Sequence, residues 1–127
     1  MKAIIQSNQA PAPVGPYNQA VEANGMLFVS GQVAIDPATG ELVQDSIEAE
    51  THRVMHNLRN VLQAAGLDFS HVVKASVFVK DMHLYSRINT VYAEYFDEAI
   101  APARELVEVT NLPKFVNIEI SVIAVRP

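Results

Sequence analysis

The apolar residues of this chain recur with two different periods, and the changes between them predict its elements. Residues 19–32 form two apolar runs on either side of Asn24-Gly25. That dipeptide is a strong signal for a β-hairpin, because a type I′ turn needs two positive φ angles. The Pro-rich stretch 10–18 is predicted to be extended loop, and residues 36–41 are predicted to be a turn.

Two longer segments have helical periodicity. Residues 46–65 and 84–100 place their apolar side chains on one stripe, as in a helix that packs on a core. The first helix is predicted to begin at a capping box formed by Asp45 and Glu48. It is predicted to end where Gly66 can adopt the left-handed conformation after the last turn.

The other regular segments have the period of two that is typical of β-strands, and they are residues 72–80, 104–109 and 116–125. Together with the N-terminal strands they predict an α+β fold, in which both helices lie on one face of a sheet of about six strands. The second face is also partly apolar, and no helix remains to cover it, which predicts an oligomer. The residues placed together on one face are Val73, Ala75, Val77 and Val79 of one strand and Val116, Ile118, Ile120, Val122 and Ala124 of another; Phe78, Ile123 and Val125 fall on the opposite face.

Composition limits the possible classes of function. A chain of 127 residues, half of them hydrophobic, is expected to form one domain, 1–127, with a substantial core. It has no cysteine, and therefore no disulfide, thiolate zinc site or cysteine nucleophile. No apolar run approaches the ~20 residues of a membrane span, and the N-terminus lacks the apolar segment of a secretory signal, so a cytoplasmic protein is expected. The net charge of −5 and the scattered Lys and Arg argue against nucleic-acid binding.

Two charged residues inside the last two predicted strands are the first candidates for chemistry. Arg104 offers a planar fork of donors that matches a carboxylate, although a salt bridge at a strand end is the simpler interpretation. Glu119 could transfer protons to and from water, or it could lie on the solvated face of an edge strand. Taken singly, neither residue decides between its alternatives.

The remaining candidates are weaker. His52 and His56 have metal-compatible i, i+4 spacing, but they lie opposite the apolar stripe and no third ligand is evident, so solvent-exposed histidines are expected. Ser30 has no obvious histidine partner and is not expected to be a nucleophile. Gly31 is expected to let the backbone approach a ligand closely. The sequence has neither a P-loop nor a Gly-x-Gly-x-x-Gly motif, so no nucleotide site is predicted.

Several stretches, spread from about Pro11 to Arg126, carry a more specific signal when they are taken together. They are APVGPYNQAV, LFVSGQVAIDPATGEL, NLRNVLQAAGLDFSHVVKASVFVKDM, INTVYAEYF, PARELVEV and LPKFVNIEISVIAV. In this order they resemble the Rid family, named for reactive intermediate deaminases and formerly called YjgF. The resemblance implies a chorismate-mutase-like fold, in which a six-stranded sheet has two helices on one face. It also implies a homotrimer whose sheets form a central barrel, with sites in the clefts between subunits.

The function that the resemblance implies is hydrolysis of 2-imino acids and their 2-enamino tautomers to 2-keto acids and ammonia. The substrates would be 2-aminoacrylate (2-iminopropanoate) and 2-iminobutanoate, with no metal or cofactor. Arg104 matches the arginine that binds the substrate carboxylate, and Glu119 matches the acid that handles water and protons. The other positions carried over are Tyr17 as a third catalytic-site residue, and Ser30, Gly31, Asn89 and the backbone of Leu106 as substrate-binding groups.

One departure from the family pattern affects the expected substrate range. Many members have a small residue and then cysteine after the arginine, where this chain has Glu105 and Leu106. Strand alternation places Glu105 on the opposite face from Arg104, so little pairing between them is expected. Arg104 and Glu119 are expected to lie in neighbouring strands, as parts of one small pocket.

Two other functions remain as alternatives. A trimer that binds or senses 2-keto acids without turnover would need Arg104 but not a proton relay at Glu119. A ribonuclease or translation inhibitor is disfavoured by the net charge of −5 and by the missing histidine pair.

Overall fold

The computed structural model describes all residues, 1–127, and contains one six-stranded sheet with two α-helices. The spatial order of the strands is β1-β2-β3-β6-β4-β5. Neighbouring strands are antiparallel except for β4 and β5, which are parallel and are connected through the second helix. The α+β architecture predicted from the sequence is therefore confirmed. The elements are β1 (Ala3–Ile5), β2 (Ala20–Ala23), β3 (Met26–Gln32), α1 (Ile47–Ala64), β4 (Val72–Val79), α2 (Tyr85–Ala93), β5 (Ala103–Glu108) and β6 (Ile118–Val125).

The β2–β3 hairpin forms where the sequence predicts it. Asn24 and Gly25 have φ angles of 53° and 76°, and Ala23 pairs with Met26 across the turn. Two positive φ angles in a two-residue loop give the turn the twist of the flanking strands.

The core lies between the helices and one face of the sheet. In β6, Ile118, Ile120, Val122 and Ala124 are buried, whereas Ile123 and Val125 alternate onto the other face. The face assignment of this strand is confirmed. The largest fully buried apolar side chains are Leu27, Met55, Leu58, Leu62, Ile88, Ile118 and Ile120. None of the helices is both long and apolar enough to cross a membrane.

The predicted start of α1 is wrong by one residue, and its predicted end is confirmed. Ser46, rather than Asp45, is the N-cap, and its hydroxyl accepts the N–H of Ala49 at 3.0 Å. Ser46 is extended, with φ −155°, so it can turn its side chain onto the exposed N–H groups of the first turn. Gly66 has φ 74°, and Leu67 N–H donates to the Leu62 carbonyl, as in a Schellman motif.

The second helix is shorter than its apolar periodicity predicts. It ends at Ala93, and a single turn (Glu98–Ile100) follows after the chain has changed direction. Tyr95 and Phe96 leave the helical path and pack on Phe69, with ring centroids 5.5 and 5.2 Å away. Periodicity over 84–100 therefore reflects two separate apolar contacts with the core rather than one continuous helix.

One residue of β4 lies on the wrong side of the sheet relative to the prediction. Val73 was assigned to the same face as Ala75 and Val77, but it is 46% exposed, and Val72 is buried in its place. The pairing of β4 with β6 shifts between Val72 and Lys74. An extra residue at such a bulge reverses the alternation on one side of it.

The second face of the sheet has no helix over it. Phe28 and Ile123 pair across β3 and β6 on this face, and Phe28 is 43% exposed. Other partly exposed apolar residues occur in the outer strands, namely Ile4 in β1 and Val107 in β5. The chain on its own therefore leaves a broad, partly apolar surface in contact with water.

Candidate active site

Arg104 is held by side chains of α2. Its Nη1 donates to Oδ1 of Asn89 at 2.8 Å, and its Nη2 donates to the hydroxyl of Tyr85 at 3.1 Å. The guanidinium also lies over the ring of Tyr92, 4.9 Å from the centroid. These three partners stand at i, i+4 and i+7 of one helix face. They fix the guanidinium in one orientation and leave some of its N–H groups without a protein acceptor.

No carboxylate neutralises Arg104, because none of the ion pairs in the structure includes it. The simple interpretation of a salt bridge at a strand end is therefore wrong. Burial raises the pKa of Tyr92, and the nearby charge of Arg104 opposes that shift. An arginine fixed on neutral partners keeps its full charge available for an anionic ligand.

Glu105, the acid next to Arg104 in the sequence, lies on the other face of β5. Its carboxylate accepts from the Ser76 hydroxyl at 2.7 Å and is 3.2 Å from Nζ of Lys74. The hydrogen bond from Ser76, followed by that from Lys74, holds the pKa of Glu105 below its usual range. The separation expected from strand alternation is confirmed.

Leu106 presents its backbone at the open edge of the sheet, because β5 is the last strand in the order. Val109 N–H donates to the Val79 carbonyl of β4. Backbone groups alternate sides along a strand, so the N–H and C=O of Leu106 point away from β4. The Leu106 side chain packs on the core. A ligand held by Arg104 could therefore also reach the free backbone of Leu106.

Glu119 lies at a small cavity of about 150 Å³ on the second face of the sheet. Tyr17, Gly31 and Lys114 are among the other residues that line this cavity. The carboxyl is half-buried, and that burial raises the pKa of Glu119 above its ordinary value. A carboxylate in this state binds a proton more readily than one in water, which suits a group that must take up and release protons.

Gly31 makes room for Glu119. A Cβ at position 31 would lie 2.5 Å from Oε2 and 2.7 Å from Cδ of the carboxylate. The pairing of β3 with β6 is interrupted between Val29 and Gln32, and the resulting bulge brings the backbone of Gly31 under the acid. The approach of this glycine to a ligand stays a prediction, and within the chain its close neighbour is the side chain of Glu119.

Tyr17 and Ser30 differ in their availability. Tyr17 lines the Glu119 cavity and is half-exposed, and the only hydrogen bond of its hydroxyl is a long one of 3.5 Å from Val14 N–H. The Ser30 hydroxyl donates to the Asn18 carbonyl at 2.6 Å and holds the loop that carries Tyr17. Ser30 does not line the Glu119 cavity.

Arg104 and Glu119 do not lie in neighbouring strands, so that expectation is wrong. Within a single chain they do not form one pocket. Strand β4 lies between β5 and β6. Ala75 of β4 is buried under the helices and pairs with Arg104, whereas Phe78 of β4 pairs with Glu119. Since Ala75 and Phe78 point to opposite faces, Arg104 is on the helix side of the sheet and Glu119 is on the other side.

Comparisons with known proteins identify the family. A family model described as Endoribonuclease L-PSP matches residues 7–126. RutC family protein slr0709 from Synechocystis sp. is 53% identical over 98% of this chain and 96% of its own length. The crystal structure of the E. coli YjgF gene product is 42% identical and aligns with a TM-score of 0.91 over 98% of this chain and 99% of that one. The chain belongs to the YjgF/Rid family.

The family membership agrees with the resemblance seen in the sequence. Within the Rid family, a 2-iminobutanoate/2-iminopropanoate deaminase from Bos taurus is 41% identical over 99% of this chain and 91% of that protein.

This Rid protein contains a buried acid that sequence reasoning missed. Glu50 of α1 is 1% exposed, and its carboxylate accepts the backbone N–H and the Nδ2 of Asn117 at 2.9 and 2.8 Å. It thereby fixes the start of β6, two residues before Glu119. The available signal was its position on the apolar stripe between Ile47 and Val54.

The two helical histidines of this Rid protein are not exposed side by side as predicted. His52 Nδ1 is 2.6 Å from the Tyr95 hydroxyl, and His56 packs edge-on against the same ring. Both are half-buried, because Tyr95 leaves α2 and lies against them. No group of three or more His, Cys, Asp or Glu side chains is placed to hold a metal ion.

Proposed function

We propose that this chain hydrolyses 2-imino acids and their 2-enamino tautomers, such as 2-iminopropanoate and 2-iminobutanoate, to 2-keto acids and ammonia. The observation that carries the proposal is the desolvated carboxylate of Glu119 in a small cavity, with a bulge and a glycine that make room for it. Membership of the Rid family supports it, as does the relative from Bos taurus that is named as this deaminase.

Arg104 binds the substrate carboxylate in this proposal. Asn89 and Tyr85 each use one side of the guanidinium, and the remaining N–H groups are free to pair with the carboxylate. The N–H of Leu106 at the sheet edge adds a backbone donor. Because these groups are already in place before the ligand arrives, little conformational entropy is lost when it binds.

Glu119 handles water and protons. The protonated imine carbon is already electrophilic, so the site has only to orient a water molecule and accept a proton from it. As the water oxygen bonds to carbon, Glu119 takes the proton, and the C=N double bond becomes a single bond. Glu119 then returns this proton to the nitrogen, and as the C–N bond breaks and ammonia leaves, the carboxylate takes the proton of the hydroxyl group while the C=O bond forms. Tyr17, in the same cavity, orients the water or the departing nitrogen.

The active unit must combine Arg104 of one copy with Glu119 of another, since one chain places them on opposite faces of its sheet. We infer a homotrimer with such shared sites. The uncovered, partly apolar second face, including Phe28 and Ile123, supports it. The open edge at β5 also supports it, because a strand edge with free backbone groups can dock on a neighbouring copy.

A coupled assay tests the proposal. Threonine dehydratase and threonine generate 2-iminobutanoate, and semicarbazide traps whatever imine escapes hydrolysis. The chain should lower the yield of semicarbazone in proportion to its concentration, whereas an equal amount of the Glu119→Gln variant should not. An unchanged yield with the wild-type protein, verified as folded by circular dichroism, would overturn the deaminase proposal.

A binding protein for 2-keto acids is the second candidate. The fixed, unpaired fork of Arg104 favours it, because binding needs this fork and no proton relay. Calorimetry with 2-ketobutyrate detects binding in either case, so turnover in the coupled assay decides between the two.

A further inference from the structure

A second polar cavity, of about 440 Å³, lies on the outer side of α1. None of its lining residues borders the Glu119 cavity. Two of the nine lining residues are apolar, so the cavity is unsuited to a hydrocarbon group. The lining residues are Asn8, Gln9, Asp36, Pro37, Ala38, Arg53, His56, Arg59 and Asn60.

The basic side chains of this cavity stand on successive turns of one helix. Arg53, His56 and Arg59 are spaced i, i+3 and i+6 along α1. Neither arginine belongs to an ion pair, although the chain has 14 Asp and Glu residues. The other two arginines outside the candidate active site, Arg87 and Arg126, are both paired bidentately with glutamates. Two unpaired arginines in one concavity attract an anion.

Both arginines are held in place by neutral groups. Arg53 donates through Nε and Nη2 to Oδ1 of Asn57 at 3.1 and 2.8 Å. Asn57 is fully buried and is itself fixed by hydrogen bonds to two backbone carbonyls. The guanidinium of Arg59 lies 5.1 Å from the ring centroid of Tyr95, and its N–H groups have no protein acceptor. Each arginine therefore keeps donors free for a ligand at no cost in reorganisation.

His56 lies between the two arginines. Burial lowers its pKa most, and the charges of Arg59, Arg53 and His52 lower it further. The ring also faces Tyr95 of the segment after α2, and Asp36 lines the opposite wall. Asp36 is the one acid of the lining, and its Oδ1 accepts the N–H of Ala38. The lining therefore carries a net positive charge, which an anion would offset.

We propose that this cavity binds the phosphate group of a small metabolite, with Arg53 and Arg59 as its charged donors and His56 and Asn60 as neutral ones. A phosphate offers three oxygens to donors that arrive from several directions, whereas a single carboxylate is satisfied by one arginine fork. The volume exceeds that of a bare phosphate and leaves room for a polar organic group. The proposal is independent of the deaminase activity.

Titration calorimetry with inorganic phosphate and with pyrophosphate tests the proposal. Arg53→Gln and Arg59→Gln should each weaken binding by about ten- to a hundredfold, as expected for one lost charge-assisted contact. Arg87→Gln, which removes an exposed arginine from the opposite helix, is the matched control and should bind as the wild type does. If Arg104→Lys abolishes phosphate binding while the α1 variants retain it, the anion is bound at the candidate active site and the proposal is wrong.

A measurement on the unmodified protein covers the case in which a variant does not fold. Proton NMR of the His56 ring should show its pKa rising when phosphate is added, because a bound dianion offsets the two arginine charges. No change in the His56 titration at saturating phosphate would overturn the proposal.

A short single-stranded RNA serves as a third probe, because its backbone offers the same chemistry. RNA binding that depends on Arg53, without binding of free phosphate or pyrophosphate, would also overturn the assignment to a small metabolite.

Discussion

A Cβ at Gly31 would lie 2.5 Å from Oε2 of Glu119, so no larger side chain fits at position 31 while the carboxylate keeps its place. The glycine is needed for space rather than for backbone conformation, since its φ is not in the left-handed region. The position of the candidate catalytic acid therefore depends on a residue in a different strand.

Gly31→Ala should displace the Glu119 carboxylate and lower imine hydrolysis by about a hundredfold, as expected for a misplacement of about 1 Å in a catalytic group. The matched control is Gly40→Ala, at a turn with φ 77° and open space around it. That variant should lose stability through backbone strain and keep its activity. The coupled assay and thermal melts measure both properties, and equal activity losses in the two variants would count against the packing argument.

Glu119→Gln should lower hydrolysis by roughly 10²- to 10⁴-fold, because the amide cannot take up a proton. Binding of 2-ketobutyrate, measured by calorimetry, should change little, since Arg104 is untouched. The matched control is Glu105→Gln, whose carboxylate is bound to Lys74 and Ser76 on the face away from Arg104. It should retain activity, and a comparable loss there would place the chemistry elsewhere.

Glu119 and Glu105 should contribute to the free energy of unfolding with opposite pH dependence. Burial raises the pKa of Glu119 from 4.5, so the folded state binds this proton more tightly than the unfolded chain does. The residue thus favours folding below pH 4.5, and that advantage is lost as pH rises through the higher folded value. Glu119→Gln should therefore be more stable than wild type at neutral pH, and the difference should disappear on acidification.

The pH dependence of stability at Glu105 should have the opposite sign, because its hydrogen bonds to Ser76 and Lys74 lower its pKa. Its contribution is present above the unfolded pKa and is lost as pH falls through the folded one. Glu105→Gln should therefore be less stable than wild type at neutral pH. Urea unfolding at a series of pH values measures the free energy of unfolding of both variants. If both substitutions stabilise the protein at neutral pH, or both destabilise it, the pKa shifts assigned to the two residues are wrong.

Arg104→Lys should lower activity by about ten- to a hundredfold although the charge is kept, because lysine cannot reproduce the two parallel bonds of the fork. Arg87→Lys is the matched control, at an exposed arginine that pairs with Glu48. It should remain fully active in the coupled assay. An Arg104→Lys variant with more than half of wild-type activity would exclude Arg104 as the carboxylate-binding group.

Mixing two impaired variants tests whether sites are shared between copies. Arg104→Lys chains retain Glu119, and Glu119→Gln chains retain Arg104. If each site takes one residue from each of two neighbours, trimers refolded from an equal mixture should recover about a quarter of wild-type activity. Recovery should be absent without refolding and after separate refolding. Absence of recovery in mixed trimers, verified by light scattering, would mean that no site combines these two residues across an interface.

Local signals in the sequence predicted local structure well. Asn24-Gly25 specifies its turn through its own backbone preferences, and Gly66 ends α1 for the same reason. Val73 was misplaced because a bulge reverses the alternation, and a bulge depends on the partner strand. The end of α2 was misplaced because Tyr95 and Phe96 pack on Phe69, and the apolar periodicity of residues 84–100 carries no information about that contact.

The strands that carry the candidate residues were predictable from the sequence, and the arrangement of those strands was not. Strand patterns place Arg104 and Glu119 within strands, but the patterns do not say that β4 inserts between β5 and β6. The partners of Arg104 lie on a helix, fifteen and nineteen residues earlier in the chain. Burial raises the pKa of Glu119, and residues of the Pro-rich loop line the same cavity, which only the folded chain assembles.

The position of β6 in the sheet has a consequence for synthesis of the chain. Strand β6 follows the other five strands in the chain but lies between β3 and β4, so the two parts of the sheet remain unjoined until residues 118–125 have been synthesised. Until then, the edges of β3 and β4 that pair with β6 have free N–H and C=O groups, and α1 lacks the contact that β6 provides. A chain that lacks residues 118–127 would be left in that state permanently, as a substrate for chaperones and proteases rather than as a smaller folded protein.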